Sequence, residues 1–170
     1  EQPNLVKKVV FPLELLPFIS MGSALFHFVF SAGVLLVGVL VFDFGTASTM
    51  TWLLPLMVLP LLPLLLGLTW CLAALGVYVR DIAPMVGLGV SFLLFLSPVF
   101  YSVQTLPARW QFWMKLNPLT PVIENVRKVV FLGSGPNWLD WGISLGFGVG
   151  IALLGAWVFA NLRDGFADVV

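Results

Sequence analysis

The placement of charge constrains this chain more than any motif in it. Charged side chains are absent from Leu15 to Phe42, from Thr51 to Val79, between Asp81 and Arg109, and between Asp140 and Arg163. A helix rises about 1.5 Å per residue and needs about 20 apolar residues to cross the hydrocarbon core of a bilayer. Four stretches meet or approach that length, and too little chain is left over for a soluble core. Only 9% of the 170 residues are charged and 60% are hydrophobic, where soluble domains carry about 25% charged residues. The fold class is therefore an all-α integral membrane protein. We expect four transmembrane helices, at 16–42, 52–79, 84–103 and 141–162, within a single membrane domain over 1–170.

Eight basic residues balance eight acidic ones, so net charge points to no nucleic acid and no acidic partner. Cys71 stands alone, which excludes an internal disulfide and a cysteine-cluster metal site. The chain opens Glu1-Gln2-Pro3-Asn4 rather than with Met and a basic leader, and we expect a reading frame that begins upstream.

Residues 4–14 read as a short amphipathic segment. Asn4 is placed to cap it, Leu5, Val6, Val9 and Val10 form its apolar side, and Lys7 and Lys8 lie opposite. Pro12 and Pro17 separate it from the first span. Pro55, Pro60 and Pro63 predict a kinked start to the second span, packed against protein. Gly142, Gly146 and Gly150 form a small-residue stripe on the last span where another helix can approach.

The 37 residues of 104–140 are too polar to span and too apolar for a free loop. The pattern predicts two helices in a hairpin lying in or dipping into an interface. The first is capped by Thr105, carries Trp110, Phe112, Trp113 and Met114, and stops at Asn117-Pro118. The second starts at Thr120, with Val122, Ile123, Val126, Val129 and Val130 on its apolar face. Glu124, Asn125, Arg127 and Lys128 are on its polar face, Glu124 and Lys128 being spaced to pair. Gly133-Ser134-Gly135-Pro136 ends it, and Trp138 and Trp141 are expected to anchor the last span at the headgroups.

No catalytic constellation appears: no phosphate-binding loop, no nucleophile elbow, no clustered ligands. The chain is read as a non-enzyme, and any ATP hydrolysis that drives it must come from another chain. His27 lies inside a span, where an ionisable group is a functional candidate. Its neighbours are phenylalanines, and a neutral hydrogen-bonded histidine is favoured over a proton relay. Phe92, Phe95, Phe100 and Tyr101 on the third span suit either a sugar path, since pyranose faces stack on rings, or plain lipid contact.

Several of these motifs, in this order, resemble type-2 ABC exporter permeases of the polysaccharide family, which export O-antigen, capsule and teichoic acid. The resemblance rests on Asn4-Leu5-Val6-Lys7-Lys8-Val9-Val10-Phe11-Pro12, Tyr78-Val79-Arg80-Asp81-Ile82, Ser97-Pro98-Val99-Phe100-Tyr101, Asn117-Pro118-Leu119, and the ending Phe159 to Val170 with Arg163-Asp164 and Phe166-Ala167-Asp168. It implies that this chain supplies the last four spans of a longer bundle. It also implies a cytoplasmic C-terminus in a bacterial inner membrane and an outer-side location for 104–140. Positive charge alone divides evenly between the two sides, four against four, though the clustering of Lys7, Lys8, Arg80 and Arg163 at span ends favours the same orientation.

Carried onto this sequence, the resemblance makes residues 4–12 a coupling helix that docks on a nucleotide-binding ATPase subunit through Leu5, Lys7, Lys8, Phe11 and Pro12. It makes Phe92, Phe95, Phe100 and Tyr101 channel-lining, and gives Trp110, Trp113, Asn117, Glu124 and Arg127 to an outer gate. It implies a second permease copy, a lipid-linked glycan as cargo, no cofactor in this chain, and ATP with magnesium in the partner. An exporter of a drug or small lipid, a membrane-embedded transferase and a purely structural subunit are the alternative readings.

Overall fold

The computed structural model describes residues 16–41, 50–79 and 81–163. The amphipathic segment at 4–14, Arg80 and the tail after Arg163 lie outside the described residues. Among the described residues the regular structure is helical, with no strand. The order is α1 (Leu16–Val41), a 3-10 turn (Thr51–Leu53), α2 (Leu54–Val58), α3 (Leu61–Tyr78), α4 (Ile82–Leu96), a second 3-10 turn (Val103–Thr105), α5 (Ala108–Leu116), α6 (Leu119–Val130) and α7 (Trp138–Leu162). Among the described residues three helical units are long and apolar enough to cross a membrane: Pro17–Val41, Thr51–Tyr78 and Trp138–Leu162.

The expected span at 84–103 takes another form. Its helix, α4, has 15 residues, about 22 Å of rise where the hydrocarbon core is about 30 Å thick. The chain leaves helical geometry at Ser97, whose ψ is 142°, because the ring of Pro98 pushes the residue before it into the extended region. The apolar run continues to Val103 but the helix does not.

Proline also shapes the second span. Pro60 has no N–H to offer the Leu56 carbonyl one turn earlier. That carbonyl accepts instead from Leu59 N at 3.3 Å and from the Trp141 indole Nε1 at 2.8 Å. The indole therefore satisfies a backbone group that proline leaves without its helical donor. Trp141→Phe keeps most of the ring and removes this bond. We expect it to cost about 1 kcal/mol, seen as a lower midpoint when the purified protein is unfolded in denaturing detergent.

α3 and α7 pack along their length, and glycine sets how close they come. A Cβ at Gly67 would strike the backbone of Ile151 and Ala152, one at Gly155 would strike the Gly67 backbone, and one at Gly148 would lie 2.7 Å from the Pro60 carbonyl oxygen. The stripe Gly142, Gly146 and Gly150 is not this contact, since nothing lies within 4 Å of a Cβ built at any of them. At 3.6 residues per turn Gly148 and Gly155 differ by only about 20° around α7, and the stripe occupies the opposite side. Beyond the glycines, Ala74 and Phe159 are buried together under Trp70, Val77, Val158 and Leu162. Tyr78 Oη donates to the Leu162 carbonyl at 2.9 Å, tying the far ends of the pair.

At the other end, α6 is embedded rather than laid on a surface. Val39, Leu54 and Val130 form a buried cluster with Phe28, Ala32, Leu36 and Val126 against them, so α1, α2 and α6 share one core. The start of the hairpin differs from expectation. α5 begins at Ala108 behind Pro107 without a side-chain cap, because the Thr105 hydroxyl turns back to donate to the Ser102 carbonyl at 2.7 Å. α6 begins at Leu119, ahead of Thr120, with the Asn117 side-chain oxygen accepting from Leu119 N at 3.0 Å. It ends where expected: Gly133 takes a left-handed φ of 59°, and Ser134 N reaches back to the Lys128 carbonyl.

Candidate functional site

The break after α4 is where polar chemistry gathers. Outside helical geometry, the carbonyls of Leu96, Pro98 and Val99 lack helical partners, and side chains from α6 and its approach provide them. Arg127 Nη2 donates to Pro98 O at 2.5 Å and to Val99 O at 3.3 Å. Its Nη1 meets Glu124 Oε1 at 2.7 Å, and that oxygen also accepts from Val103 N at 3.3 Å. Asn117 Nδ2 donates to Ser97 Oγ at 3.1 Å and to Leu96 O at 3.4 Å. Ser97 and Asn117 are buried, and Arg127 and Glu124 are about four-fifths covered. The planar guanidinium suits this position because it donates in several fixed directions at once.

Three of the expected gate residues, Asn117, Glu124 and Arg127, thus converge on one segment, 96–103. Trp110 and Trp113 do not join them. They stand exposed on α5, with the Arg109 guanidinium 5.6 Å from the centre of the Trp110 ring. Glu124 pairs with Arg127, three residues on, rather than with Lys128. Asn125 is not on the polar face. It is 2% exposed and exchanges bonds with Asn137, accepting from Asn137 N at 2.8 Å and donating to its carbonyl at 3.4 Å. Asn137 in turn caps α7 by accepting from Leu139 N and Asp140 N. The buried amide therefore fixes where the last span starts relative to α6.

The four aromatic residues assigned to the channel divide. Phe92, Phe95 and Phe100 are 72%, 76% and 80% exposed. Tyr101 is half-buried and donates its hydroxyl to the Phe95 carbonyl at 3.3 Å. None of the four lines the open apolar groove of about 620 Å³ between α3, α4, α6 and α7, which Leu68, Leu93, Val99, Ile123, Phe147 and Ile151 line. A second cavity, about 480 Å³ and far more polar, lies between the 3-10 turn, α5, α6 and the start of α7. The expected coupling residues Leu5, Lys7, Lys8, Phe11 and Pro12 lie outside the described residues. His27 is exposed on α1 beside Phe26, ring centres 6.2 Å apart. Among the described residues no three His, Cys, Asp or Glu side chains group as a metal would require.

Sequence reasoning missed the roles of Ser97 and Asn125, and missed Asn137 and the polar cavity altogether. Two of these had a signal: Ser97 precedes a proline, and Asn137 stands three residues before Asp140 at the head of an apolar run, an N-cap pattern.

Long apolar helices, broken by proline and closed by glycine contacts, with an embedded amphipathic hairpin at one end, define a multi-pass α-helical membrane protein. The chain belongs to the ABC-2 type transporter family, whose model matches residues 1–131. It is similar to two O-antigen export system permease proteins RfbA. That of Klebsiella pneumoniae is 23% identical over 167 residues, covering 98% of this chain and 64% of the relative. That of Myxococcus xanthus is 25% identical over 175 residues, covering 100% of this chain and 66% of the relative. The chain thus spans just under two thirds of the length of these curated relatives. No solved structure matches it.

Proposed function

We propose that this chain is the permease part of an exporter that moves a lipid-linked polysaccharide, of O-antigen type, across the bacterial inner membrane. ATP hydrolysis in a separate nucleotide-binding subunit drives it. The observation that carries the reading is similarity to O-antigen export permeases along essentially the whole chain, from the amphipathic start to the last span. In this reading residues 4–14 and the C-terminus are cytoplasmic, and α5 and α6 stand at the outer mouth. A second copy of the permease completes the passage. The exposed rings of Phe92, Phe95 and Phe100, with Tyr101 beside them, offer flat apolar faces on which sugar rings stack. The Asn117–Glu124–Arg127 cluster holds the outer segment 96–103 in place. ATP and magnesium are bound by the partner, and this chain transmits the movement.

Phe11→Asp tests the contact with that partner. An apolar anchor in a protein groove is a common energetic centre, and a charge buried there is costly. In co-expression with the candidate ATPase, we expect the wild-type permease to co-purify with it and the variant to lose it by at least about tenfold. An unchanged yield of complex would remove residues 4–12 from the interface. Failure of the wild type to associate would remove the ABC exporter reading itself.

A further inference from the structure

The polar cavity has a composition that a gate alone does not require. Gln104 lines it from the 3-10 turn, Gln111 and Lys115 from α5, Thr120 and Lys128 from α6, and Asp140 from α7. Its charges are unevenly satisfied. The Glu124 carboxylate on its wall is held by Arg127, and Asp140 Oδ2 accepts from Asn137 Nδ2 at 2.7 Å. Neither lysine ammonium has an acidic partner among the described residues, where Arg127–Glu124 is the ion pair found. Thr120 is 3% exposed, and its Oγ1 is buried with no hydrogen-bond partner. A buried hydroxyl is ordinarily bonded, so an unpartnered one on a cavity wall points to a missing acceptor or donor. Two ammonium groups without an acidic partner, one unpaired hydroxyl and the Gln104 amide together suit an oxyanion, while Gln111 Nε2 is already committed to the Leu106 carbonyl at 2.8 Å.

Height decides which oxyanion. The cavity wall includes Asn137, Asp140 and Ile143, at the cap and in the first turns of α7. Trp138 and Trp141 stand in the same turn, their rings edge to face at 6.1 Å. Tryptophan at the end of a span marks the headgroup region, which is where lipid phosphates lie. Lys115, Lys128 and Arg127 against Glu124 and Asp140 leave the cavity one net positive charge, which a neutral sugar would not offset. We propose that this cavity binds the phosphate of an anionic membrane lipid, held by Lys115 and Lys128 with Thr120 Oγ1 donating to a phosphate oxygen. The lipid then bridges α5, α6 and the head of α7 and steadies the hairpin against the last span. The site does not depend on the polysaccharide reading, because any chain with this outer end would present it.

The test uses the full-length permease in mild detergent, with phosphatidylglycerol as the probe and native mass spectrometry to count lipids retained. We expect the wild type to retain one phosphatidylglycerol more firmly than the rest. Lys115→Gln with Lys128→Gln should weaken that retention by about 30-fold, from the usual surface attraction of two lysines to anionic lipid. Lys115→Arg with Lys128→Arg should keep it, and Thr120→Val should weaken it less than the glutamine pair. Lys115 is exposed, so Lys115→Gln alone, with an expected loss of about fivefold, serves if the pair fails to fold. Equal retention by wild type and glutamine variants would overturn the proposal. So would equal retention of a phosphate-free glycosyl diacylglycerol, which would mark a sugar site. Displacement of the lipid by inorganic phosphate at matched concentration would mark a free-anion site and overturn the lipid assignment.

Discussion

Gly155→Val is expected to separate the last span from α3 and to be the most damaging single change in the described residues. The glycine approaches the Gly67 backbone so closely that even a Cβ meets the carbonyl, and Gly67 makes the same kind of approach to the Ile151 backbone. No side chain is available to rotate away on either helix. Relief requires the helix axes to move apart, and that loosens Ala74 against Phe159 and the Tyr78–Leu162 bond further along. Overpacking in a well-packed core costs about 1–3 kcal/mol, and a backbone-to-backbone clash belongs at or above the top of that range, about 3 kcal/mol. Thermal unfolding of the purified protein, followed by tryptophan fluorescence, gives the number. Gly142→Val, on the side of α7 with nothing within 4 Å, is expected to shift stability by no more than about 0.5 kcal/mol. Equal effects at the two positions would mean that the α3–α7 contact does not hold the span pair together.

Arg127→Gln is the second large effect. The change deletes donors to Pro98 O and Val99 O and leaves Glu124, four-fifths covered, without its cation. Breaking a covered pair by removing one partner costs about 3 kcal/mol, most of it from the charge left behind. The partner change should then partly repair the loss. Glu124→Gln with Arg127→Gln is expected to be more stable than Arg127→Gln alone, because the stranded carboxylate is gone. Arg127→Lys restores the charge but not the fork, and should recover less than half. Hydrogen exchange across 96–103 provides an independent reading: those amides should exchange faster in Arg127→Gln while α3 and α7 are unaffected. Equal exchange in wild type and variant would sever the arginine from the α4 break.

Much of the architecture was legible because bilayer length and charge spacing are coarse constraints. Pro17–Val41, Thr51–Tyr78 and Trp138–Leu162 follow from uncharged runs, and the broken start of the second span follows from its prolines. In the α4 region the helix is shorter than the expected span, because hydropathy and helicity part company at Pro98. The run of apolar residues passes through it, whereas the helix ends at Leu96, two residues before. The glycines show another limit. Three at four-residue spacing formed the more regular pattern, but the pair seven apart makes the contact, since Gly155 lies at the height of Gly67 and Gly148 at the height of Pro60. That height is a three-dimensional fact with no local sequence signature. For the gate, residue types were readable and partners were not. Glu124 had cations both three and four residues away, and the carbonyls after α4 drew Arg127 into the pairing. Asn125 looked like part of a solvated face because its partner, Asn137, lies across a turn.

The bond between Trp141 and the Leu56 carbonyl joins residues 85 apart in sequence. A ribosome adding about 5–20 residues per second takes about 4–17 s to make that interval. The second span therefore leaves the ribosome before its partner on α7 has been made. The freed carbonyl and the bare backbone at Gly67 must then be covered by lipid, by water or by the insertion machinery until α7 arrives. Completion of the second span therefore waits on α7: a helix made later supplies the partner of one made earlier.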